Sequence, residues 1–337
     1  MPVSVLLFIS SLQEKRVLFF APKFFNYEIA IKEELERQGA EVHLYDERGN
    51  PSSLEKILIR KCPTVLKSKI YKYYNSIIQK ESNFSPDYIF FLSPETATKD
   101  CIKLLKEKFY NAKFILYMYD SLKNKNAKYI YKYFDRCLSF DPNDCKEYGF
   151  IFIPLFFMNS FESNNNEKNY KYDFCFIGSI HSDRAKILYK LKKYFEENGY
   201  SYFYYLYIPG KLMLCIRWLL NKYVRRLRKQ YIHTTSIEKR IVSEISESTK
   251  YVIDINHPKQ VGLTMRTIEM LGLQRKILTT NQYIKDYDFY KPNNQIIVSR
   301  RNIEINSENI TDKYEAVEKE VYDSYKLKSW VEKVFDV

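Results

Sequence analysis

The chain has no G-x-G-x-x-G dinucleotide fingerprint, no Walker phosphate loop and no nucleophile elbow, so the best-known nucleotide and acyl-transfer signatures are excluded at the outset. Six cysteines stand at Cys62, Cys101, Cys137, Cys145, Cys175 and Cys215 without a C-x-x-C pair or a close Cys/His set, which argues against a zinc site or a disulfide framework. Cys101, Cys175 and Cys215 lie in apolar settings and read as buried thiols of a reduced, cytoplasmic protein. The opening "MPVSVLLFISSL" lacks the charged start and small-residue cleavage site of a signal peptide; it reads as a short extension before the first strand. No repeat of ~20 to 50 residues appears, which removes solenoids.

What is present is an ordinary globular balance, 45% hydrophobic and 28% charged, on a chain long enough for two domains. Its 31 Tyr and 23 Phe carry little weight individually. The net charge of +13 calls for an anionic partner. That excess is local: "KLMLCIRWLLNKYVRRLRKQY", residues 211 to 231, holds seven Lys or Arg and no acid.

Apolar runs rich in strand formers alternate with polar helical runs. "RVLFFAP", "YEIAIKEELERQG" and "AEVHLYDE" form a β-α-β unit. A long helical stretch broken at Pro63, then "DYIFFLSPE", "TATKDCIKLLKEKF", "AKFILYMYDS", "RCLSFDP" and "FIFIPLFF" continue the pattern. The polar "NSFESNNNEKNYK" looks like a linker, after which the alternation restarts at "YDFCFIGS". The reading is an α/β fold of two Rossmann-like domains facing a cleft: an acceptor domain over 1–158, a linker over 159–171, a donor-binding domain over 172–315 and a closing helix over 316–337.

In such halves ligands bind at the carboxyl ends of the strands, where loop amides and helix N-termini gather. The turn "FIGSIHSDRAKIL" offers Gly178 for close backbone approach, the Ser179 hydroxyl and the Arg184 guanidinium; it is equally readable as a plain strand-to-helix turn. A second turn, "QVGLTMRTIEMLGLQRKILTTN", sets Thr264, Arg266 and Glu269 at or near a helix start. An arginine there opposes the helix dipole, which points to a compensating bound anion. Glu269 suits two adjacent hydroxyls, as on a ribose, while the plainer reading pairs it with Arg266 at i, i+3. In the first half Asp120 and Glu95 follow strands and are candidates for a catalytic base, although either also suits a loop or cap role. His181 is a third candidate, as a base or a phosphate donor.

"VGLTMRTIEMLGLQRKILTTN" and "FCFIGSIHSDR" resemble the carboxyl-terminal half of GT-B glycosyltransferases, specifically bacterial capsule and lipopolysaccharide transferases similar to CgeB-type proteins. "RVLFFAPKFFNYEIAIKEELERQGAEVHLYDER", "ILYMYDSLKN" and "LSFDPNDCKEYGFIFIPLFF" extend the resemblance to nearly the whole chain. It implies that Glu269 bonds the donor ribose, and that Arg184, Arg266 and Lys276 grip a nucleotide diphosphate leaving group without a metal or other cofactor. The family's earlier glutamate, eight positions before, is Val261 here. "DYD" at 286 to 288 imitates a metal-holding motif of another glycosyltransferase fold but falls too late in the chain.

The basic segment repeats Leu212, Ile216, Leu219 or Leu220, Tyr223 and Leu227 at helical spacing, with Trp218 near its start and Arg225, Arg226, Arg228 and Lys229 at its end. This is the pattern of a helix lying on an anionic membrane; a packed helix with a solvated basic end is the plainer alternative. It is too short, and too interrupted by Arg217, to span a bilayer. Together these features anticipate a cytoplasmic enzyme, peripheral on the inner face of the cell membrane. It would move sugar from a nucleotide-sugar donor to a glycan, lipid-linked or part of a growing surface polysaccharide. The rivals are a nucleotide-sugar epimerase of the same fold and a non-catalytic basic binding protein. No nucleic-acid module is recognisable, so no nucleic-acid partner is expected.

Overall fold

The computed structural model describes residues 12–24, 26–49, 51–52, 66–122, 126–163, 170–227, 229–258, 260–303, 305, 310–311 and 313–337. Residues 1–11 of the opening extension, the start of the long helical stretch with Pro63, and Arg228 lie outside them. The chain divides into two units: Met1–Pro154 with Leu327–Val337, and Leu155–Lys326.

The first unit is a six-stranded sheet in the order β2-β1-β3-β4-β5-β6, all pairs parallel. Its strands are β1 (Arg16–Ala21), β2 (Glu41–Asp46), β3 (Tyr88–Leu92), β4 (Lys113–Met118), β5 (Arg136–Ser139) and β6 (Ile151–Phe152). The near-continuous apolar runs of β1, β3 and β4 are those of strands covered on both faces. On one face α2 (Lys67–Lys80) and α3 (Lys99–Lys108) pack Tyr74, Ile77, Ile102 and Leu105 against Phe20, Phe91 and Leu116. The unit also holds α1 (Tyr27–Arg37) and α4 (Pro142–Tyr148). Gly39 ends the α1 turn at φ +94°, a conformation that favours glycine.

The second unit repeats the plan in the order β12-β11-β10-β7-β8-β9, again parallel throughout. Its strands are β7 (Tyr172–Ser179), β8 (Tyr202–Tyr207), β9 (Ile232–His233), β10 (Thr249–Asp254), β11 (Lys276–Thr279) and β12 (Gln295–Ile297). After β7 comes α5 (Arg184–Glu197), whose Phe195 stacks on Phe174 at 4.1 Å between centroids. The basic segment, expected as one helix, is two: α6 (Lys211–Leu220) and α7 (Lys222–Arg226). The break has a local cause. Asn221 leaves the helical region at φ −121°, ψ 105°, and its side chain caps α7 by accepting from the Tyr223 and Val224 amides.

α8 (Lys239–Glu247) precedes β10, and α9 (Met265–Gly272) joins β10 to β11. The closing helix is also divided, into α10 (Lys319–Ser324) in the second unit and α11 (Leu327–Phe335) in the first. The start of the expected linker is packed: Phe161 is buried, and the Ser163 amide donates to Gly272 O at 3.0 Å. Cys101 and Cys175 are buried as expected, but Cys215 is exposed on α6.

Candidate functional site

Strand order reverses between β7 and β10 in the second unit, and at such a point the flanking loops diverge and leave room at the strands' carboxyl ends. β7 ends at Ser179 and feeds α5; β10 ends at Asp254 and feeds α9. Two helix N-termini are therefore delivered to one edge of the sheet. Thr264 caps α9, its side chain accepting from the Thr267 amide at 3.4 Å.

Three guanidinium groups collect there. Arg184, first residue of α5, donates through Nε to Ile255 O (2.8 Å) and through Nη1 to Ser179 O (3.0 Å). Arg266, in the first turn of α9, donates to Ile177 O. Both cations lie over the Phe176 ring, at 5.9 and 5.4 Å from its centroid. Gly178 lies beside this arrangement: a Cβ there would stand at an ordinary 3.5 Å from Arg266 Nη1 and at a tighter 3.3 Å from Phe176 Cζ. Arg300, just beyond β12, pairs with Asp183 at 2.8 Å and donates to the backbone and side-chain oxygens of Asn256.

Burial is the main reason that Arg184 is pushed down to about 10, with Arg266 and Arg300 acting the same way and Asp254 opposing them. Arg184 remains a cation near neutral pH. Asp254 is itself buried and accepts from Thr267 Oγ1 at 3.0 Å, tying β10 to the first turn of α9. A guanidinium carries five N–H donors; the bonds above use two on Arg184 and one on Arg266, leaving donors for an anion. His181 is held neutral, pushed down to about 4 by burial first and then by Arg184, His257 and Arg217.

The structure thus brings Gly178, Ser179, Arg184 and Arg266 into one contact set, with Thr264 capping the helix that carries Arg266. Glu269 is buried one turn further along α9, on the same side as Arg266. Lys276 does not join them. It opens β11, so it sits at the opposite end of the sheet, where its buried Nζ donates to Thr311 O at 2.8 Å and lies over Tyr251. Asp288 of the "DYD" tripeptide accepts from Tyr325 Oη at 2.6 Å.

Glu95 and Asp120 lie in the first unit, after β3 and β4 respectively. Arg48 Nη1 is 3.8 Å from Glu95 Oε2. Beneath them Glu47 is fully buried and accepts from the amides of Glu95 (2.9 Å) and Thr96 (3.0 Å) and from Thr96 Oγ1 (2.9 Å). Burial pushes its carboxyl up to about 7 against the pull of these bonds. Glu47, Asp254, Asn256 and Arg300 escaped the sequence reading. Asp254 ends an apolar strand and Arg300 follows one, close to the position that singled out Glu95 and Asp120.

No protein-family model and no curated protein matches the sequence. Solved structures match over nearly its whole length. HepE from Anabaena, in complex with UDP and glucose, is 8% identical, with a TM-score of 0.58 over 96% of this chain and 99% of that one. The catalytic domain of starch synthase IV from Arabidopsis thaliana, bound to ADP and acarbose, is 10% identical, with a TM-score of 0.54 over 96% of each chain. UDP-GlcNAc 2-epimerase from Methanocaldococcus jannaschii, in complex with UDP-GlcNAc and UDP, is 8% identical, with a TM-score of 0.51 over 96% and 98%. At these identities the likeness is one of fold: α/β with two Rossmann-like domains, the GT-B class.

Proposed function

We propose that the protein is a nucleotide-sugar-dependent glycosyltransferase whose second unit binds the donor. The observation that carries this reading is the guanidinium cluster of Arg184, Arg266 and Arg300 at the strand-order reversal of that unit. A departing nucleoside diphosphate gains charge as the sugar bond breaks, and fixed cations with two helix N-termini stabilise that charge. Glu269 receives the ribose hydroxyls, and Gly178 and Ser179 admit the diphosphate close to the backbone. His181, neutral at pH 7, serves as an N–H donor or a base. In the first unit Asp120 or Glu95 takes the proton of the acceptor hydroxyl. The acceptor is a lipid-linked glycan or a growing capsule, exopolysaccharide or lipopolysaccharide chain, as in the CgeB-type transferases that the sequence resembles, met on the inner face of the membrane.

The test is a thermal-shift screen of UDP, GDP, ADP, dTDP and their sugars. At a hundredfold excess over Kd the wild type is expected to gain on the order of 5 °C. Arg266→Ala, Arg300→Ala and Glu269→Ala should lose most of that gain. If no nucleotide shifts the wild type, or if the variants respond as it does, the donor site is wrongly assigned. The epimerase fold neighbour supports a second reading, which incubation with a nucleotide sugar alone separates: an epimerase converts it without acceptor, whereas a transferase leaves its sugar configuration unchanged.

A further inference from the structure

The ten residues of α6 combine an apolar composition with exposure to solvent. None is buried, and Leu212, Met213, Ile216, Trp218, Leu219 and Leu220 are all exposed, Leu219 at 66% and Leu220 at 83%. At 100° per residue, Leu212, Ile216, Leu219 and Leu220 form one stripe, opposite Leu214, which packs against the core of the second unit. Lys211 precedes the stripe, and Lys222, Arg225, Arg226 and Lys229 follow it, all exposed. Arg225 Nη1 donates to Trp218 O (2.9 Å) and Leu219 O (2.6 Å), closing the end of α6 and keeping a positive charge beside the apolar stripe.

We infer that α6 is a membrane-insertion helix that lies in the plane of an anionic bilayer, its leucine stripe among the acyl chains and the flanking cations on lipid headgroups. At ~15 Å it is half the length needed to cross the hydrocarbon layer, and no helix among the described residues is long and apolar enough to do so. Charge selects the occupant. Pairing with a second copy would set two acid-free clusters of Lys and Arg face to face, which repel, while an anionic lipid surface neutralises the cations and buries the stripe together. The inference deepens the membrane side of the reading above and uses none of its donor-site assignments.

A tryptophan in the stripe provides the readout, Leu219→Trp with Trp218→Phe, since Trp218 lies about 40° round α6 from the packed Leu214 and Trp330 is 1% exposed in the core of the first unit. Vesicles of phosphatidylglycerol and phosphatidylcholine should blue-shift the emission of this reporter and carry both it and the wild type into the pellet; pure phosphatidylcholine should do neither. Trp218→Phe alone should show no shift yet still sediment. Leu219→Glu with Leu220→Glu alters only exposed side chains and should lose binding at least tenfold. Lys211→Gln, Lys222→Gln and Lys229→Gln together should weaken it on the order of a hundredfold, a loss that high salt reproduces in the wild type. Equal binding to both vesicle types, a retained shift in Trp218→Phe, or self-association abolished by the leucine substitutions would overturn the inference. Nucleotide thermal shifts measured without vesicles report on the donor site separately.

Discussion

Phe176 carries two guanidinium groups on one ring, and that single contact set decides how the residues of the candidate site are ranked. Arg266 opposes the dipole of α9, yet it is held by Ile177 O and by the ring. The two arginines and the apolar strand were each visible in the sequence; their meeting on Phe176 was not, because it joins one strand residue to two helix starts far apart in the chain. Arg300 was hidden for the same reason, and Lys276 was misplaced because a strand's first and last residues look alike in sequence while lying at opposite sheet edges. His181 yields a prediction at this scale. Its pKa falls from the ordinary value near 6.5 to about 4 on folding, so between these values the unfolded chain binds a proton that the folded chain refuses. The stability due to the neutral ring is complete above pH 6.5 and is lost as pH falls toward 4. For a half-exposed ring, screening reduces this to about 1–2 kcal/mol. His181→Gln should therefore lose less melting temperature than the wild type between pH 7 and pH 4.5; parallel profiles would refute it.

The α9 element presents Arg266 and Glu269, and its far end is fixed by a residue without a side chain. A Cβ on Gly272 would fall 2.4 Å from Phe161 O and 2.7 Å from Phe157 Cγ. The Gly272 carbonyl accepts from the Ser163 amide and from Tyr322 Oη at 2.7 Å. Gly272→Ala must push the helix off this bed, at a cost of about 2 kcal/mol, and urea denaturation should show a lower midpoint. Nucleotide affinity should drop with it, because α9 cannot move without Arg266. An unchanged midpoint would mean that the segment yields freely. Strands and most helices were legible because buried parallel strands require unbroken apolar runs and the helices alternate with them. Two breaks were not. Asn221 splits the basic helix by capping its successor, and Tyr325–Lys326 splits the closing helix where the chain passes from one unit to the other. Both depend on backbone angles and tertiary contacts that residue spacing does not encode.

At the level of the whole molecule, the last eleven residues belong to the unit that the chain left at Pro154. α11 buries Trp330, Val331, Val334 and Phe335 in that unit, with Trp330 4.7 Å from Tyr117 and Phe335 5.3 Å from Phe90 between ring centroids. Arg136 then closes the helix end, its Nε donating to Val334 O at 3.2 Å and its Nη2 to Lys333 O at 3.1 Å. At ~1.5–3 kcal/mol for each large apolar side chain, these four contribute on the order of 6–12 kcal/mol, comparable to the entire stability of an ordinary domain. A chain ending at Lys326 should accordingly lose the cooperative melting of the first unit and expose its aromatic face to a hydrophobic dye. The second unit keeps all of its strands and its guanidinium cluster, so nucleotide should still raise its own melting transition. Retention of both transitions in the truncated chain would show that α11 only decorates the first unit. Loss of both would show that the second unit depends on the first for its fold.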